Sequence, residues 1–319
     1  MNKKDMIKRL SENKGSIISF PDRGPWGSSK YRGNTSGWVI AQLLYTYGAK
    51  CLTEVFAGSG TGSDVARDWE IPYRGLDLNP SPVRKDILTC DILNEDVPDG
   101  FFDGSDMTFM HPPYSELIKI GYADKEWKDT SPEHNLYKSD LGQMGWDEFV
   151  KALNCIVMKC YAAQEAGTRT AILMGDIRRN GRYYSMLNDI VKPGATEAVL
   201  IKKQNNYSSM GRTYARMNWL SIEHEYILIF KKLLSYFIDF MLPTKHELDI
   251  RDSKSATWRD VLGAVMGAIG EGTLDDIYNE IEGCEKAKMN KNWKAKVRQT
   301  LQLSDSFVSK GRGIWAVAA

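Results

Sequence analysis

Residues 51–62 read CLTEVFAGSGTG, an apolar run that passes directly into a turn with glycine at positions 58, 60 and 62. Cys51–Phe56 has the length of a buried strand. The glycines allow backbone conformations and close approaches that a Cβ forbids. A helix starting near Ser63 would present its free N–H groups to whatever occupies the turn. Strand, glycine turn and helix form the opening unit of an α/β fold, and the flanking sequence continues it. From Gly37 to Lys232 short apolar runs alternate with helix-like periods. Strands are predicted at Cys51–Phe56, Tyr73–Leu78, Asp106–Met110, Thr168–Met174, Glu197–Lys202 and Ile222–Phe230, with amphipathic helices at Trp38–Tyr47 and Trp146–Glu165. The last two strands are joined by a polar loop, Lys203–Asn218, without a strong helix. The sheet is therefore expected to end in an antiparallel hairpin.

A glycine-rich turn alone serves NAD, FAD, S-adenosylmethionine or simply tight packing. The next strand narrows the choice. Its end carries Asp77, 17 residues beyond Gly60, where a carboxylate can accept hydrogen bonds from both hydroxyls of a ribose. Asp86 and Asp91 each fall where a third strand end could bring a carboxylate to an adenine amino group, and the sequence does not choose between them. The strand Asp106–Met110 then runs into His111-Pro112-Pro113-Tyr114. Two successive prolines remove two backbone donors, so this loop offers carbonyls only. Such a turn suits an exocyclic NH₂ group, and the flat face of Tyr114 suits an extracted base.

Composition limits the remaining classes. The 319-residue chain is 42% hydrophobic and 26% charged, with a formal net charge of +1. A sizeable core can form, and no global charge argues for nucleic acid, so any such case rests on local distribution. Five scattered cysteines without a CxxC pair, and four separated histidines, argue against a disulfide framework or a zinc cluster. Residues 1–14 are polar, and the longest apolar stretch, Leu233–Leu242, is too short to span a bilayer. A cytoplasmic protein without membrane association is expected.

The combination of Phe-x-Gly-x-Gly at 56–60 with His-Pro-Pro-Tyr at 111–114 resembles the amino-group DNA methyltransferases, whose catalytic tetrapeptide is (Asp/Asn)-Pro-Pro-Tyr. The resemblance covers roughly Pro21 to Lys232. It extends to Trp26–Gly37, which is similar to the segment closing over the methionine end of the cofactor, and to Gly175–Arg179 and Glu223–Phe230, which resemble later strand motifs. It implies a Rossmann-like class I methyltransferase domain over residues 1–242, with S-adenosylmethionine as cofactor. The cofactor would be held by Lys30, Tyr31, Gly33, Asn34, Phe56, Ala57, Gly58, Gly60, Thr61, Asp77, Leu78 and Asp86 or Asp91. It further implies methyl transfer to N6 of a flipped adenine in double-stranded DNA, with or without a restriction endonuclease partner. The base would stack on Tyr114, and its amino group would be held by His111 and the Pro112 carbonyl beside Pro113. Methylation at N4 of cytosine, an RNA substrate, or a regulator without turnover are the alternatives.

His111 departs from the family pattern. A neutral imidazole can accept a hydrogen bond as Asp or Asn does, whereas an imidazolium cannot. With an unperturbed histidine, activity is expected to fall as pH drops through about 6.5.

For DNA contact the sequence offers three regions. After a helix predicted from Lys232 to Leu242 and a charged linker, residues 256–319 read as three short helices and a hairpin, a small winged-helix domain. Thr257 is the expected N-cap of its first helix. Its basic residues include Lys294, Arg298, Lys310 and Arg312, suited to phosphates or a groove. The loop Lys203–Asn218 carries Tyr207, Arg212, Tyr214 and Arg216, and Arg178 and Arg179 lie just past a predicted strand end. The charged stretch Glu116–Gly145 is long enough to be a lid.

Overall fold

The computed structural model describes residues 1–28, 30–31, 33–117, 136–205, 220–244 and 249–318, without the side chains of Leu136 and Tyr137. The chain divides into two compact units, Met1–Pro243 and Thr244–Ala319.

The first unit opens with helix α1 (Lys3–Leu10), the short strand β1 (Ile17–Ile18) and α2 (Gly37–Tyr47). The repeating part follows: β2 (Leu52–Val55), α3 (Thr61–Trp69), β3 (Tyr73–Asp77), β4 (Ile87–Thr89) and β5 (Met107–Met110). After it come α4 (Trp146–Ala163), β6 (Arg169–Met174), a hairpin of β7 (Asp176–Arg179) and β8 (Arg182–Ser185), and α5 (Met186–Asp189). The unit closes with β9 (Lys192–Pro193), β10 (Ala195–Lys203), β11 (His224–Lys231) and β12 (Phe240–Met241). The main sheet runs β1-β10-β11-β6-β5-β2-β3-β4. Its pairs are parallel from β4 to β6, and β11 lies antiparallel to both neighbours. The strand order reverses between β2 and β5, so the glycine turn after β2 and the tetrapeptide after β5 emerge side by side. Ligands of open α/β sheets bind in the crevice at such a switch point.

Both faces of the central strands β5, β6 and β11 are covered, which is why these read as apolar runs. Ile172, Met174, Leu228 and Phe230 pack with Phe149, Leu153 and Ile156 of α4. Their neighbours Ala171, Leu173, Ile227 and Ile229 point the other way, toward Trp38, Ile40 and Leu43 of α2. Each such large side chain contributes about 1.5–3 kcal/mol by leaving water. A buried polar ladder crosses the same sheet: the Thr53 hydroxyl bonds that of Thr108 at 2.8 Å, and Gln164 Nε2 donates to Thr108 and Thr170 at 2.9 Å each.

Residues 232–242 correct a sequence expectation, because they form no helix. Lys232 instead donates to the carbonyls of Tyr161 and Ala162 at the end of α4, at 2.6 and 2.9 Å. Ser235 accepts from the Phe237 N–H in a turn, and β12 pairs with β9. Leu234, Tyr236 and Phe237 stay exposed, so the run has no packed apolar face to hold a helix. Strand β4 was not anticipated either, being only three residues long. Among the described residues no helix is long and apolar enough to cross a membrane.

The second unit contains α6 (Trp258–Ile269), β13 (Glu271–Thr273), α7 (Leu274–Ile281), α8 (Glu285–Met289), α9 (Trp293–Leu303), β14 (Phe307–Gly311) and β15 (Ile314–Val317), with the sheet ordered β13-β15-β14. Capping boxes start α6 (Thr257 with Asp260) and α7 (Thr273 with Asp276). Val261, Leu262, Ile277, Ile281, Val297 and Leu301 form its own core.

Candidate active site

The site grows from the two loops that the strand order places together. At the end of β2 the backbone enters the left-handed region at Phe56 (φ 67°), an uncommon conformation for a residue with a side chain, and again at Gly58 and Gly60. The turn is tied to the next strand: the Gly58 N–H donates to Asp77 Oδ2 at 2.6 Å, and the Asn79 N–H donates to Oδ1 at 2.9 Å. Burial raises the pKa of Asp77, against the lowering effect of those two donors. A Cβ at Gly58 would meet the Tyr31 ring at 3.2 Å, so glycine keeps this floor open beneath the loop that precedes α2. That loop is fastened to α3. The Gly27 N–H donates to Asp64 at 3.0 Å, the Thr61 hydroxyl donates to Asn34 Oδ1, and Arg84 holds Asp64 through two nitrogens at 2.9 and 3.1 Å.

Between these elements lies a cavity of about 450 Å³, within the range of ligand pockets. Tyr31, Gly33, Asn34, Phe56, Ala57 and Gly58 line it, as do Thr61, Asp77, Leu78 and Asp91. The whole tetrapeptide His111–Tyr114 lines the same cavity. A strand-end carboxylate, a bare glycine floor and a helix start on one wall fit a nucleoside-bearing cofactor.

Lys30, Gly60 and Asp86 do not line the cavity. Lys30 is exposed. Gly60 serves the turn itself, because a Cβ there would strike Arg84 at 2.6 Å. Asp86 accepts from Ser63 Oγ at 2.8 and 3.0 Å, so it braces the first turn of α3. Of the two aspartates left open by the sequence, Asp91 is the one brought to the cavity, where it accepts from Ser139 Oγ at 2.5 Å and Asn94 Nδ2 at 2.9 Å.

Several lining residues were not anticipated from the sequence: Glu54, Ser139, Asp140, Lys202, Gln204 and Glu225. Glu54 is buried beneath the glycine turn and accepts from the Tyr73 hydroxyl at 2.6 Å. Desolvation pushes its pKa up to about 8 against that hydrogen bond. Asp140 is held by the Gly142 N–H at 2.9 Å, and burial raises its pKa as well.

Around the tetrapeptide the side chains form a chain of contacts. His111 Nε2 lies 3.3 Å from the Tyr114 hydroxyl, which donates to Glu225 Oε1 at 2.9 Å. Lys202 pairs with the other oxygen of Glu225. Desolvation pushes His111 down to about 4; Glu225 opposes this and Lys202 adds to it. A desolvated imidazole resists the second proton, so the unperturbed value of about 6.5 does not apply to His111. For Glu225, desolvation acts upward, but Lys202 and the hydrogen bonds outweigh it and its pKa is lowered. The Tyr114 ring lies against Gly175, where a Cβ would come within 3.0 Å of it.

Of the DNA-contact candidates in the first unit, the described ones, Arg178 and Arg179, do not line the cavity. Arg178 and Arg179 lie just past the end of β6, as expected, in the short strand β7; Arg178 donates to the Leu220 carbonyl at 2.9 Å, and Arg179 is exposed. Lys294 lies over the Trp293 and Tyr278 rings, and Arg298 donates to the Tyr278 hydroxyl at 2.9 Å. Lys310 and Arg312 are exposed at the β14–β15 turn. Tyr207, Arg212, Tyr214 and Arg216 lie outside the described residues, as does most of the stretch expected to form a lid.

No family model matches the sequence, and no curated protein does. Solved structures are similar to it at low identity. One, from work on the conversion of a disulfide bond into a thioacetal group during echinomycin biosynthesis, is 12% identical over 67% of this chain and 88% of its own, with a TM-score of 0.38. A SAM dependent methyltransferase from Archaeoglobus fulgidus is 13% identical over 64% and 96%, with a TM-score of 0.33. The 1,6-didemethyltoxoflavin-N1-methyltransferase of Burkholderia thailandensis is 11% identical over 64% and 80%, with a TM-score of 0.34. The strand order and the antiparallel β11 define the fold. It is the Rossmann-like fold of class I methyltransferases.

Proposed function

We propose that this chain is an S-adenosylmethionine-dependent methyltransferase acting on the exocyclic amino group of a DNA base, N6 of adenine foremost. The observation that carries the reading is that His111-Pro112-Pro113-Tyr114 shares one cavity with the Gly58 turn and Asp77. A nucleoside-binding floor and a donor-free loop for an amino group are then within reach of one another. S-adenosylmethionine supplies an electrophilic sulfonium methyl when bound.

The chain's own residues do the rest. Asp77 accepts from the ribose hydroxyls, and Asp91 or Asp140 accepts from the adenine amino group. Tyr31 and Asn34 close the side nearest α2. His111 and the Pro112 carbonyl accept from the target NH₂ and orient its nitrogen lone pair, while Tyr114 offers a ring face to the flipped base. Rate enhancement comes from positioning and fixed dipoles, with no covalent enzyme adduct. The second unit, with the helix and strand order of a winged helix and a basic α9 and hairpin turn, is the proposed reader of duplex DNA.

The test is expression in a host without adenine methylation, followed by single-molecule sequencing of its DNA. N6-methyladenine at one fixed motif supports the reading, and N4-methylcytosine changes only the base. Unmodified DNA, together with methyl transfer to RNA or with cofactor binding but no turnover, sinks it.

A further inference from the structure

The contacts around His111 determine which of its two nitrogens carries the proton. Lys202 and Glu225 face each other in register on the adjacent antiparallel strands β10 and β11, between the pairs Ile201–Tyr226 and Lys203–His224. Their side chains are 17% and 9% exposed, so neither charge is tolerable without the other. Beside the Lys202 ammonium, Glu225 is a carboxylate, and a carboxylate only accepts hydrogen bonds. The Tyr114 hydroxyl, 2.9 Å from Glu225 Oε1, must then spend its single proton on that bond. What remains on the tyrosine oxygen is lone pairs, so at 3.3 Å His111 Nε2 has to be the donor. A neutral imidazole with its proton on Nε2 has a bare lone pair on Nδ1, and no described residue hydrogen-bonds that atom.

We infer that Lys202 and Glu225 are positioning residues that act through Tyr114 to hold His111 as the Nε2–H tautomer, leaving Nδ1 as the acceptor for the substrate amino group. The inference rests on the amino-methylation reading and deepens it. It supplies what a histidine needs to take the place of Asp or Asn. Those residues present an acceptor oxygen directly, whereas an imidazole presents an acceptor only in one of its two tautomers. A set polarity along the chain Lys202–Glu225–Tyr114–His111 removes that ambiguity.

The polarity can be reversed without changing the shape of the site. In Glu225→Gln the Lys202 ammonium claims the single amide oxygen, and the NH₂ faces Tyr114. The hydroxyl then turns to donate to His111 Nε2, and the imidazole proton moves to Nδ1. In Lys202→Met the unpaired Glu225 takes up a proton and becomes a donor, with the same result. Lys202→Arg keeps the charge and the original polarity.

The experiment is long-range ¹H–¹⁵N correlation on the full chain labelled with ¹⁵N-histidine, with His111→Asn assigning the His111 signals. In parallel, kcat, KM for S-adenosylmethionine and DNA methylation are measured for each variant. The wild type is expected to carry its proton on Nε2. Glu225→Gln and Lys202→Met are expected to carry it on Nδ1, with kcat lower by about 100-fold and KM for the cofactor unchanged. Lys202→Arg is expected to keep both the tautomer and the rate. A wild type protonated at Nδ1, or variants that fold and leave the proton on Nε2, overturns the inference. If neither variant folds, the wild-type spectrum alone still decides. A wild type protonated at Nε2 that methylates no DNA retires the function proposed above and leaves the tautomer assignment standing.

Discussion

Asp77 accepts the Gly58 N–H at 2.6 Å, so the strand end that would greet a ribose also fixes the glycine turn beneath it. One carboxylate thus organises two parts of the cavity wall, and its second oxygen is held by the Asn79 N–H. Replacing it by Asn keeps the size but removes the charge and one acceptor position. Hydrogen bonds to a charged group are worth roughly 1.5–3 kcal/mol. Asp77→Asn is therefore expected to weaken S-adenosylmethionine binding by about 10- to 100-fold, read by titration calorimetry. An unchanged Kd would remove Asp77 from the cofactor site.

The site makes a specific statement about pH. His111 is pushed down to about 4 by burial, whereas in the unfolded chain it titrates near 6.5. Between these values the unfolded chain binds a proton that the folded chain refuses. Stability from this group is present above pH 6.5 and erodes as pH falls toward 4. Activity, in contrast, depends on the folded-state value. The kcat profile at saturating substrate is expected to show no His111 inflection between pH 8 and 5.5. His111→Asn, which keeps an acceptor, is expected to retain activity, while His111→Ala loses about 2.7–4 kcal/mol of transition-state stabilisation. An inflection near 6.5 that disappears in His111→Asn would show a histidine far more hydrated than this one.

Glu54 carries the opposite sign. Desolvation holds its pKa near 8 despite the Tyr73 hydroxyl at 2.6 Å, so the folded protein keeps a proton that the unfolded chain releases above about 4.5. Its contribution to stability is full below pH 4.5 and is lost as pH rises through 8. Glu54→Gln, of equal size and still able to accept from Tyr73, removes that dependence. Thermal unfolding from pH 5 to 9 is expected to show a falling Tm in the wild type and a shallower fall in the variant. Parallel curves would mean that Glu54 is ionised in the fold.

Much of this was legible in the sequence because it is local. The glycine turn, the strand-end Asp77 and the tetrapeptide are runs of a few residues whose chemistry does not depend on distant partners. Lys202 and Glu225 are 23 residues apart, and each reads as an ordinary charge near a strand end. The available signal was position: each adjoins an apolar run, 198–201 and 226–230, where a buried charge needs a partner. The choice of Asp91 over Asp86 depended on β4, too short to register as a period. The apolar run 233–242 was misread for a related reason: a short helix needs a distant surface to cover its apolar face, and here Leu234, Tyr236 and Phe237 stay exposed.

At Gly175, just past the end of β6, the backbone lies against the Tyr114 ring. A Cβ there would approach Cε2 to 3.0 Å, with the ring already tethered through its hydroxyl to Glu225. The ring cannot retreat without stretching that bond. Gly175→Ala is therefore expected to tilt the face offered to the base, lowering kcat while leaving cofactor affinity intact. Equal effects on cofactor Kd and on kcat would indicate a general collapse of the cavity instead.

The basic residues of the second unit divide by what they already touch. Arg298 donates to the Tyr278 hydroxyl at 2.9 Å, so its removal costs structure as well as charge. Lys310 and Arg312 sit exposed at the β14–β15 turn, where their charge is free to meet a phosphate. Each phosphate neutralised adds about 0.9 to the slope of log K against log salt for duplex DNA. The double substitution Lys310→Ala and Arg312→Ala is expected to lower that slope by about 2 and weaken binding evenly across sequences, with Tm unchanged. Arg298→Ala is expected to lower Tm. A double variant whose binding and salt slope both match the wild type would place this turn away from DNA and leave the recognition of duplex to other parts of the chain.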